Sequence, residues 1–150
     1  MNNERGETKL KKEGKIFTTK YFSIFACVVA IIIQPTFSQD FSRLVEYLND
    51  ATVVAQDEKS TYLGKISNSY NTESIFNEYG KFGGNYSSTS IWNEYGKFGG
   101  EYNSFSAFNP NSSKPPMVIK RGKVIAYLTV NKSIEGAVSP NILKAIKDQF

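Results

Sequence analysis

The chain has 150 residues, with 18 Lys or Arg against 14 Asp or Glu, no histidine, and a single cysteine, Cys27. Without histidine it cannot form catalytic triads of the Ser-His-Asp or Cys-His type, and most zinc hydrolase sites are excluded as well. The formal net charge of +4 favours nucleic-acid binding only where the basic residues are clustered on the folded protein.

The N-terminus has the pattern of a secretory signal. Six Lys or Arg residues lie within the first twenty positions, and the apolar run Tyr21–Ile33 follows them. These 13 residues are fewer than the roughly 20 that a helix needs to span a bilayer. Pro35 ends the run, and we expect cleavage after Ser38, which makes residues 1–38 the signal peptide and residues 39–150 one exported domain. An uncleaved, membrane-anchored segment is the alternative.

Cleavage would change the charge and the chemistry of the chain. The signal contains Cys27, together with six of the 18 basic and three of the 14 acidic residues, so the exported part has 12 basic residues, 11 acidic residues and no thiol. Its largest basic cluster in the sequence is Lys120, Arg121 and Lys123. We therefore predict no nucleic-acid partner and, after cleavage, no membrane partner.

The first part of the exported domain predicts a helix and a hairpin. Asp40 is a candidate N-cap for a short helix from Phe41 to about Asn49, where apolar residues fall at mostly helical spacing. Two runs of β-branched and aromatic residues, 52–55 and 61–66, flank a polar stretch of turn length and predict a β-hairpin.

The middle of the chain is a tandem repeat, because aligning it with itself at an offset of 16 residues gives nearly continuous identity. The copies occupy about residues 70–110. The positions that correspond in the three copies are Tyr70, Tyr86 and Tyr102; Ser74, Ser90 and Ser106; Ile75, Ile91 and Ala107; Phe76, Trp92 and Phe108; and Asn77, Asn93 and Asn109.

Each copy has a local structural interpretation. Ser74 is expected to cap one helical turn over Ile75–Tyr79, and Gly80, like Gly96 in the next copy, is expected to end that turn at positive φ. Gly83-Gly84 then permits a second tight turn. Because one unit cannot close a core by itself, the apolar rows should stack on one another and on the hairpins.

The C-terminal part predicts a second hairpin and a final helix. Arg121-Gly122 lies between two apolar, β-branched runs, residues 117–120 and 123–130, which is the pattern of a two-residue hairpin turn. Ser139-Pro140 has the pattern of an N-cap followed by a first-turn proline. The sequence thus predicts a small α+β domain with two β-hairpins, tandem 16-residue turn-rich repeats and a short C-terminal helix.

The repeat also carries a resemblance to a known family. Tyr62-Leu63-Gly64-Lys65, the tandem Ser-Ile-aromatic-Asn and Tyr-Gly-Lys-Phe-Gly-Gly motifs, Asn109-Pro110 and Lys114-Pro115-Pro116 occur in one order. Over about residues 62–131 this order resembles a widespread family of small exported bacterial proteins with such repeats. The resemblance implies a bacterial, exported context and no activity. Members often have Asn-Pro or Asn-Lys where this chain has Asn-Glu.

Two functions are open to the repeat residues. The asparagines at a fixed repeat position can bond the backbone and hold a turn, which is the role we favour. Asparagine beside aromatic rings is also the chemistry with which proteins bind sugars. On that second interpretation the candidate ligand-binding residues are Asn77, Tyr79, Trp92, Asn93, Tyr95 and Asn109. Eleven aromatic residues from Tyr70 to Phe108 exceed what a core of that length needs, so some are expected to be exposed.

These residues predict a non-enzymatic binding or structural module, exported to the periplasm or the cell exterior, with envelope polysaccharide or protein as its partner. No catalytic residue, cofactor or metal site is predicted, and no acidic loop with calcium-hand spacing occurs. The alternative is a small polysaccharide hydrolase that uses the repeat carboxylates Glu78 and Glu94 as acid and base. Equivalent copies share similar surroundings, whereas an acid and a base need different ones.

The export hypothesis predicts a mature N-terminus at or within a few residues of Gln39, because Pro35 ends the apolar run and Ser38 is the last small residue before Asp40. Intact-mass measurement on the exported protein checks this prediction. A mass that still includes Cys27 would contradict both the cleavage and the thiol-free exported chain.

Overall fold

The chain has an α+β fold in a computed structural model that describes residues 36–150. It forms two units, residues 1–42 and 43–150, and most of the predicted signal peptide, with Cys27, lies outside the described residues. The elements are α1 (Thr36–Leu48), β1 (Ala51–Val54), β2 (Tyr62–Ile66), β3 (Met117–Lys120), β4 (Lys123–Leu128), β5 (Ala137–Val138), α2 (Pro140–Ala145) and a 3-10 turn (Lys147–Gln149).

Helix α1 begins earlier than the sequence predicts. Asp40 is not its N-cap, because the helix starts at Thr36 and Asp40 lies inside it. The reason is local: no glycine or proline separates Thr36 from Asp40, so nothing there interrupts a helix. The helix ends close to the expected position, and Asp50, with φ of 60°, turns the chain into β1. No helix within residues 36–150 is long and apolar enough to cross a membrane.

Both predicted hairpins are confirmed, and they form one sheet. Its strand order is β2-β1-β3-β4-β5, in which β1 pairs antiparallel with both β2 and β3, and β3 pairs antiparallel with β4. The turn between β3 and β4 places Arg121 at φ 53° and Gly122 at φ 73°, the two positive values that a type I′ hairpin turn requires. The two-residue strand β5, which pairs parallel with β4, has no counterpart in the predictions.

The repeats form a coil of β-turns, so the predicted helical turn over Ile75–Tyr79 is wrong. In the first copy, backbone N–H groups three residues apart donate in sequence, from Ser74 to Asn71, from Asn77 to Ser74 and from Gly80 to Asn77. A four-residue step, from Gly84 to Gly80, follows, and the next three-residue step reaches Ser87. We call the residues at which these bonds meet the corners. Four three-residue steps and one four-residue step produce the period of 16 residues.

The repeat glycines are needed for space and not for positive φ. Among the described glycines, only Gly64, Gly122 and Gly136 have positive φ, so the expectation for Gly80 and Gly96 is wrong. A Cβ added at Gly80 would lie 3.1 Å from the Asn77 Cγ. The space is tighter elsewhere in the coil, where a Cβ at Gly83 would lie only 2.2 Å from the carbonyl oxygen of Asn77. A methyl group therefore has no room at that position.

The apolar rows stack as predicted. Ile75, Ile91 and Ala107 are fully buried in the core. Beside them the aromatic rings form a ladder, in which the Trp92 ring centroid lies 6.3 Å from that of Phe76 and 5.9 Å from that of Phe108. The indole N–H of Trp92 donates to the carbonyl oxygen of Ile75 and so ties two copies together.

The coil is fastened to the sheet at both ends. At the first copy, the Ile75 N–H donates to the Lys65 carbonyl of β2 over 2.9 Å. At the third, the Val130 N–H, just beyond β4, donates to the Ala107 carbonyl over 2.9 Å. Gly64 permits the first contact, because a Cβ there would lie 2.8 Å from the Glu73 carbonyl oxygen. These bonds give the short repeat array the closure that it could not supply alone.

The predicted C-terminal helix is confirmed as α2. Ser139 occupies the N-cap position without a side-chain capping bond, Pro140 is the first helical residue, and Leu143 is fully buried. Beyond the helix, the ring of Phe150 stacks on that of Phe76 with 5.4 Å between centroids. The C-terminal segment thereby covers the first end of the aromatic ladder.

The buried row predicts a large cost for truncating Ile91. Because its side chain is fully buried between neighbouring copies, Ile91→Ala should lower the free energy of unfolding by about 2–4 kcal/mol. Ile142→Ala is the matched control, since Ile142 is 45% exposed, and it should cost less than about 1 kcal/mol. Urea unfolding of the wild type and the two variants measures both losses of unfolding free energy. Equal losses would show that the buried row stabilises the fold no more than an exposed side chain does.

Candidate functional site

The exposed face of the repeats is made of tyrosine. Five tyrosines are 83–101% exposed, whereas every Phe and Trp of the repeats is buried or half-buried. They form two sets at fixed repeat positions: Tyr70, Tyr86 and Tyr102, and Tyr79 and Tyr95. The expectation that some repeat aromatics are exposed is confirmed. Rings of this size left in water contribute nothing to the core, and such surfaces mark binding sites.

The corner asparagines position part of this tyrosine face. The Asn93 Nδ2 donates to the Ser87 carbonyl over 3.1 Å, and its Oδ1 accepts the backbone N–H of Tyr95 over 3.1 Å. Asn77 makes the equivalent bonds, both 3.2 Å, to the Asn71 carbonyl and the Tyr79 N–H. Each amide thus closes its own turn and fixes the backbone from which an exposed tyrosine projects.

The third asparagine and the corner serines have the same structural role. Asn109 donates to the Asn103 carbonyl over 3.0 Å and accepts the Asn111 N–H over 2.8 Å. The fully buried corner serines accept the N–H group two residues ahead, at 3.0–3.1 Å: Ser74 from Phe76, Ser90 from Trp92, and Ser106 from Phe108. The turn-holding role that we favour for asparagine is confirmed by these bonds.

An open groove lies between the second and third copies, with a volume of about 920 Å³. Tyr95 and Tyr102 are two of its lining residues, and Gly96 and Gly100 leave backbone accessible between them. Glu94 and Glu101 supply carboxylates. The remaining lining residues are Lys97 and Asn103. The volume suits a ligand of several sugar rings, and the groove combines apolar rings with hydrogen-bonding groups.

The positions that line this groove have counterparts one repeat earlier, with one negative charge fewer. Glu78, Tyr79 and Tyr86 correspond there to Glu94, Tyr95 and Tyr102, whereas Asn85 stands in place of Glu101. Glu78 is also partly neutralised, because its Oε1 lies 3.2 Å from the Lys147 Nζ. The two copies therefore present similar rings beside different charges.

Lys97 connects the groove to the first hairpin. Its Nζ lies 2.9 Å from the Oδ2 of Asp57, in the loop between β1 and β2, and 4.5 Å from the ring centroid of Phe105. Two hydrogen bonds from Thr61 also reach the Asp57 carboxylate, from the backbone N–H at 2.9 Å and from the hydroxyl at 2.8 Å. The Thr61 backbone bond first, and then Lys97, lower the Asp57 pKa to about 2.

Glu94 acts on the neighbouring Tyr95. The carboxylate accepts a hydrogen bond from the phenol and opposes a second negative charge, and both effects raise the pKa of the Tyr95 hydroxyl.

The sequence-predicted site residues separate into two groups. Tyr79 and Tyr95 lie on the exposed face, whereas the three asparagines and Trp92 face inward and bond the backbone. Sequence reasoning did not include Tyr70, Tyr86 and Tyr102. The signal was present, because every exposed repeat tyrosine directly precedes a corner residue of the three-residue Asn/Ser/Gly pattern.

The carboxylates proposed for hydrolysis are both exposed, and Glu78 is paired with Lys147. Within residues 36–150 no cluster of three or more His, Cys, Asp or Glu side chains is placed to hold a metal ion. Comparison of the chain with protein-family models, with curated proteins and with solved structures found no match.

The Asp57 contacts predict an acid-sensitive contribution to stability. Because its pKa is about 2 in the folded protein and near 3.8 otherwise, the contribution is complete above pH 4 and is lost as pH falls toward 2. It amounts to about 2 kcal/mol. We expect Asp57→Asn to lose that amount at pH 7 and to converge with the wild type near pH 2. Urea unfolding across this pH range measures it, with Glu58→Gln as control; parallel pH curves for wild type and Asp57→Asn would contradict it.

Proposed function

We propose that the protein is an exported, non-enzymatic binding module of the bacterial cell envelope or exterior, and that its tyrosine face binds envelope polysaccharide. The observation that carries the proposal is the division of the repeat aromatics, in which five tyrosines are exposed and every Phe and Trp is buried or half-buried. Selection for packing alone does not keep large rings in water at two fixed repeat positions.

The chemistry of the face suits a sugar polymer. Aromatic rings stack on the apolar faces of sugar rings, and phenol hydroxyls and carboxylates bond the sugar hydroxyls. The groove of about 920 Å³ places both kinds of group together at Tyr95, Tyr102, Glu94 and Glu101. A repeated protein surface also matches a repeated ligand, since several weak contacts on one polymer act together.

The exported location rests on the N-terminal sequence. The basic segment and the apolar run that follows it support secretion, and the resemblance to exported bacterial repeat proteins agrees with that context. A binding role also fits the chemistry better than hydrolysis. Glu78 and Glu94 are both exposed, whereas a glycosidase acid and base need contrasting surroundings around the scissile bond.

The proposal predicts loss of polysaccharide retention when exposed rings are removed. Tyr79→Ala and Tyr95→Ala should each weaken retention on isolated peptidoglycan, and the double variant should weaken it by on the order of tenfold or more, because avidity is lost. Pull-down with insoluble peptidoglycan measures retention. Thermal unfolding should be unchanged, since these side chains are 101% and 83% exposed.

Two controls keep the experiment decisive. Ile142→Ala removes an exposed apolar side chain outside the repeats and should retain wild-type binding. Release of soluble sugars by the wild type, abolished in Glu94→Gln, would favour the hydrolase instead. If the wild type does not bind, or if all variants bind equally, the tyrosine face is not a glycan site on this polymer.

A further inference from the structure

A second groove, remote in sequence from the repeats, concentrates positive charge. It has a volume of about 650 Å³ and lies between α1 and the β3–β4 hairpin. The residues that line it are Arg43, Glu46, Tyr47, Lys120, Arg121, Lys123 and Ile125. Four cations therefore meet a single carboxylate, in an exported chain whose basic and acidic residues are otherwise nearly balanced.

The groove is held open by specific bonds. The Lys120 Nζ donates to the carbonyl oxygens of Glu46 and Tyr47 at 2.9 and 3.1 Å, and so satisfies the C-terminal end of α1. The Tyr47 hydroxyl donates to the Ile125 carbonyl over 2.9 Å and fastens the helix to β4. Lys120 is thus a structural residue, and the two elements keep the other cations in place.

The other three cations are available to a ligand. Arg43 comes from the helix, while Arg121 and Lys123 come from the tip of the hairpin, and all three side chains are exposed. Within residues 36–150, none of the three forms an ion pair with a carboxylate. Since their side chains are exposed and Glu46 is the single carboxylate that lines the groove with them, the groove keeps a net positive charge toward solvent.

Two apolar side chains lie in the same groove as the cations. Tyr47 is 49% exposed, and the half-buried Ile125 lines the groove with it. Basic residues beside an aromatic and an aliphatic side chain are the composition of surfaces that bind the interface of anionic membranes.

We propose that this groove and the β3–β4 tip dock the domain on an anionic lipid surface, with lipid phosphate groups between Arg43, Arg121 and Lys123. Charge complementarity carries the assignment, because guanidinium groups bind phosphate through two parallel hydrogen bonds and ammonium groups bind it as point charges. The docking replaces the expectation that the exported domain has no membrane partner. It is independent of the tyrosine face, which lies on the repeats.

The test is binding of the exported protein, with whichever N-terminus it carries, to sedimented lipid vesicles. The measured quantity is the ratio of its affinity for vesicles containing phosphatidylglycerol to that for phosphatidylcholine vesicles, so that any contribution of the apolar run cancels. We expect a clear anionic preference in about 0.1 M salt, where the Debye length is about 10 Å, and its loss in about 1 M salt.

A matched pair of variants separates this site from net charge. R121Q/K123Q removes two cations at the hairpin tip, and K59Q/K132Q removes two exposed cations elsewhere. At about fivefold for each cation near the surface, the first should lower the ratio about 25-fold. The second should change it less than about twofold, and both should unfold at the wild-type temperature.

Three results would overturn the proposal. One is the absence of an anionic preference in the wild type, and another is an equal loss in the two variants, which would mean that only net charge matters. The third is tight binding of soluble polyphosphate that depends on Arg121 and Lys123, without vesicle binding, which would assign the groove to a polyanion in solution.

Discussion

The rest of the repeat structure depends on one side-chain amide in each copy. A coil of β-turns leaves backbone groups unpaired that a helix or a strand would satisfy, and these groups are costly to bury. Asn93 supplies a donor to one of them and an acceptor to another, and Asn77 and Asn109 repeat the arrangement. An aspartate has no donor and a leucine has neither group, so neither residue closes the turn. The buried serines at other corners complete the pattern.

The same bonds link the fold to its exposed face. Because the amide oxygens of Asn77 and Asn93 accept the N–H groups of Tyr79 and Tyr95, these bonds fix the backbone from which the two exposed rings project. The core and the exposed tyrosine face therefore come from different positions of one short motif, with Phe and Trp buried or half-buried and tyrosine outward.

Much of this structure is readable from the sequence, and the failures have physical causes. The hairpins follow from β-branched runs around turns, and Arg121-Gly122 is such a turn. The helical turn between Ser74 and Gly80 was predicted wrongly, because serine caps and glycines occur in helical turns and in β-turns alike. Only the three-residue spacing of the corners distinguishes the two structures. The basic groove could not be predicted from the sequence, because Arg43 and Arg121 line one groove only through the packing of α1 on the hairpin.

The tight closure at Gly83 and Gly99 has a consequence for how the protein can change in evolution. The first two coils end with the same close approach, within 2.2–2.4 Å of an asparagine carbonyl for an added Cβ, so each of them returns the chain to the same position for the next coil. Duplicating a whole period of 16 residues would keep the corners in register, whereas an insertion of any other length would break it. The first copy is bonded to β2 and the third copy is bonded just beyond β4, so an added coil would also have to fit between these two attachments to one sheet. The period thus fixes the register of the tyrosine rows, and the sheet limits the number of coils.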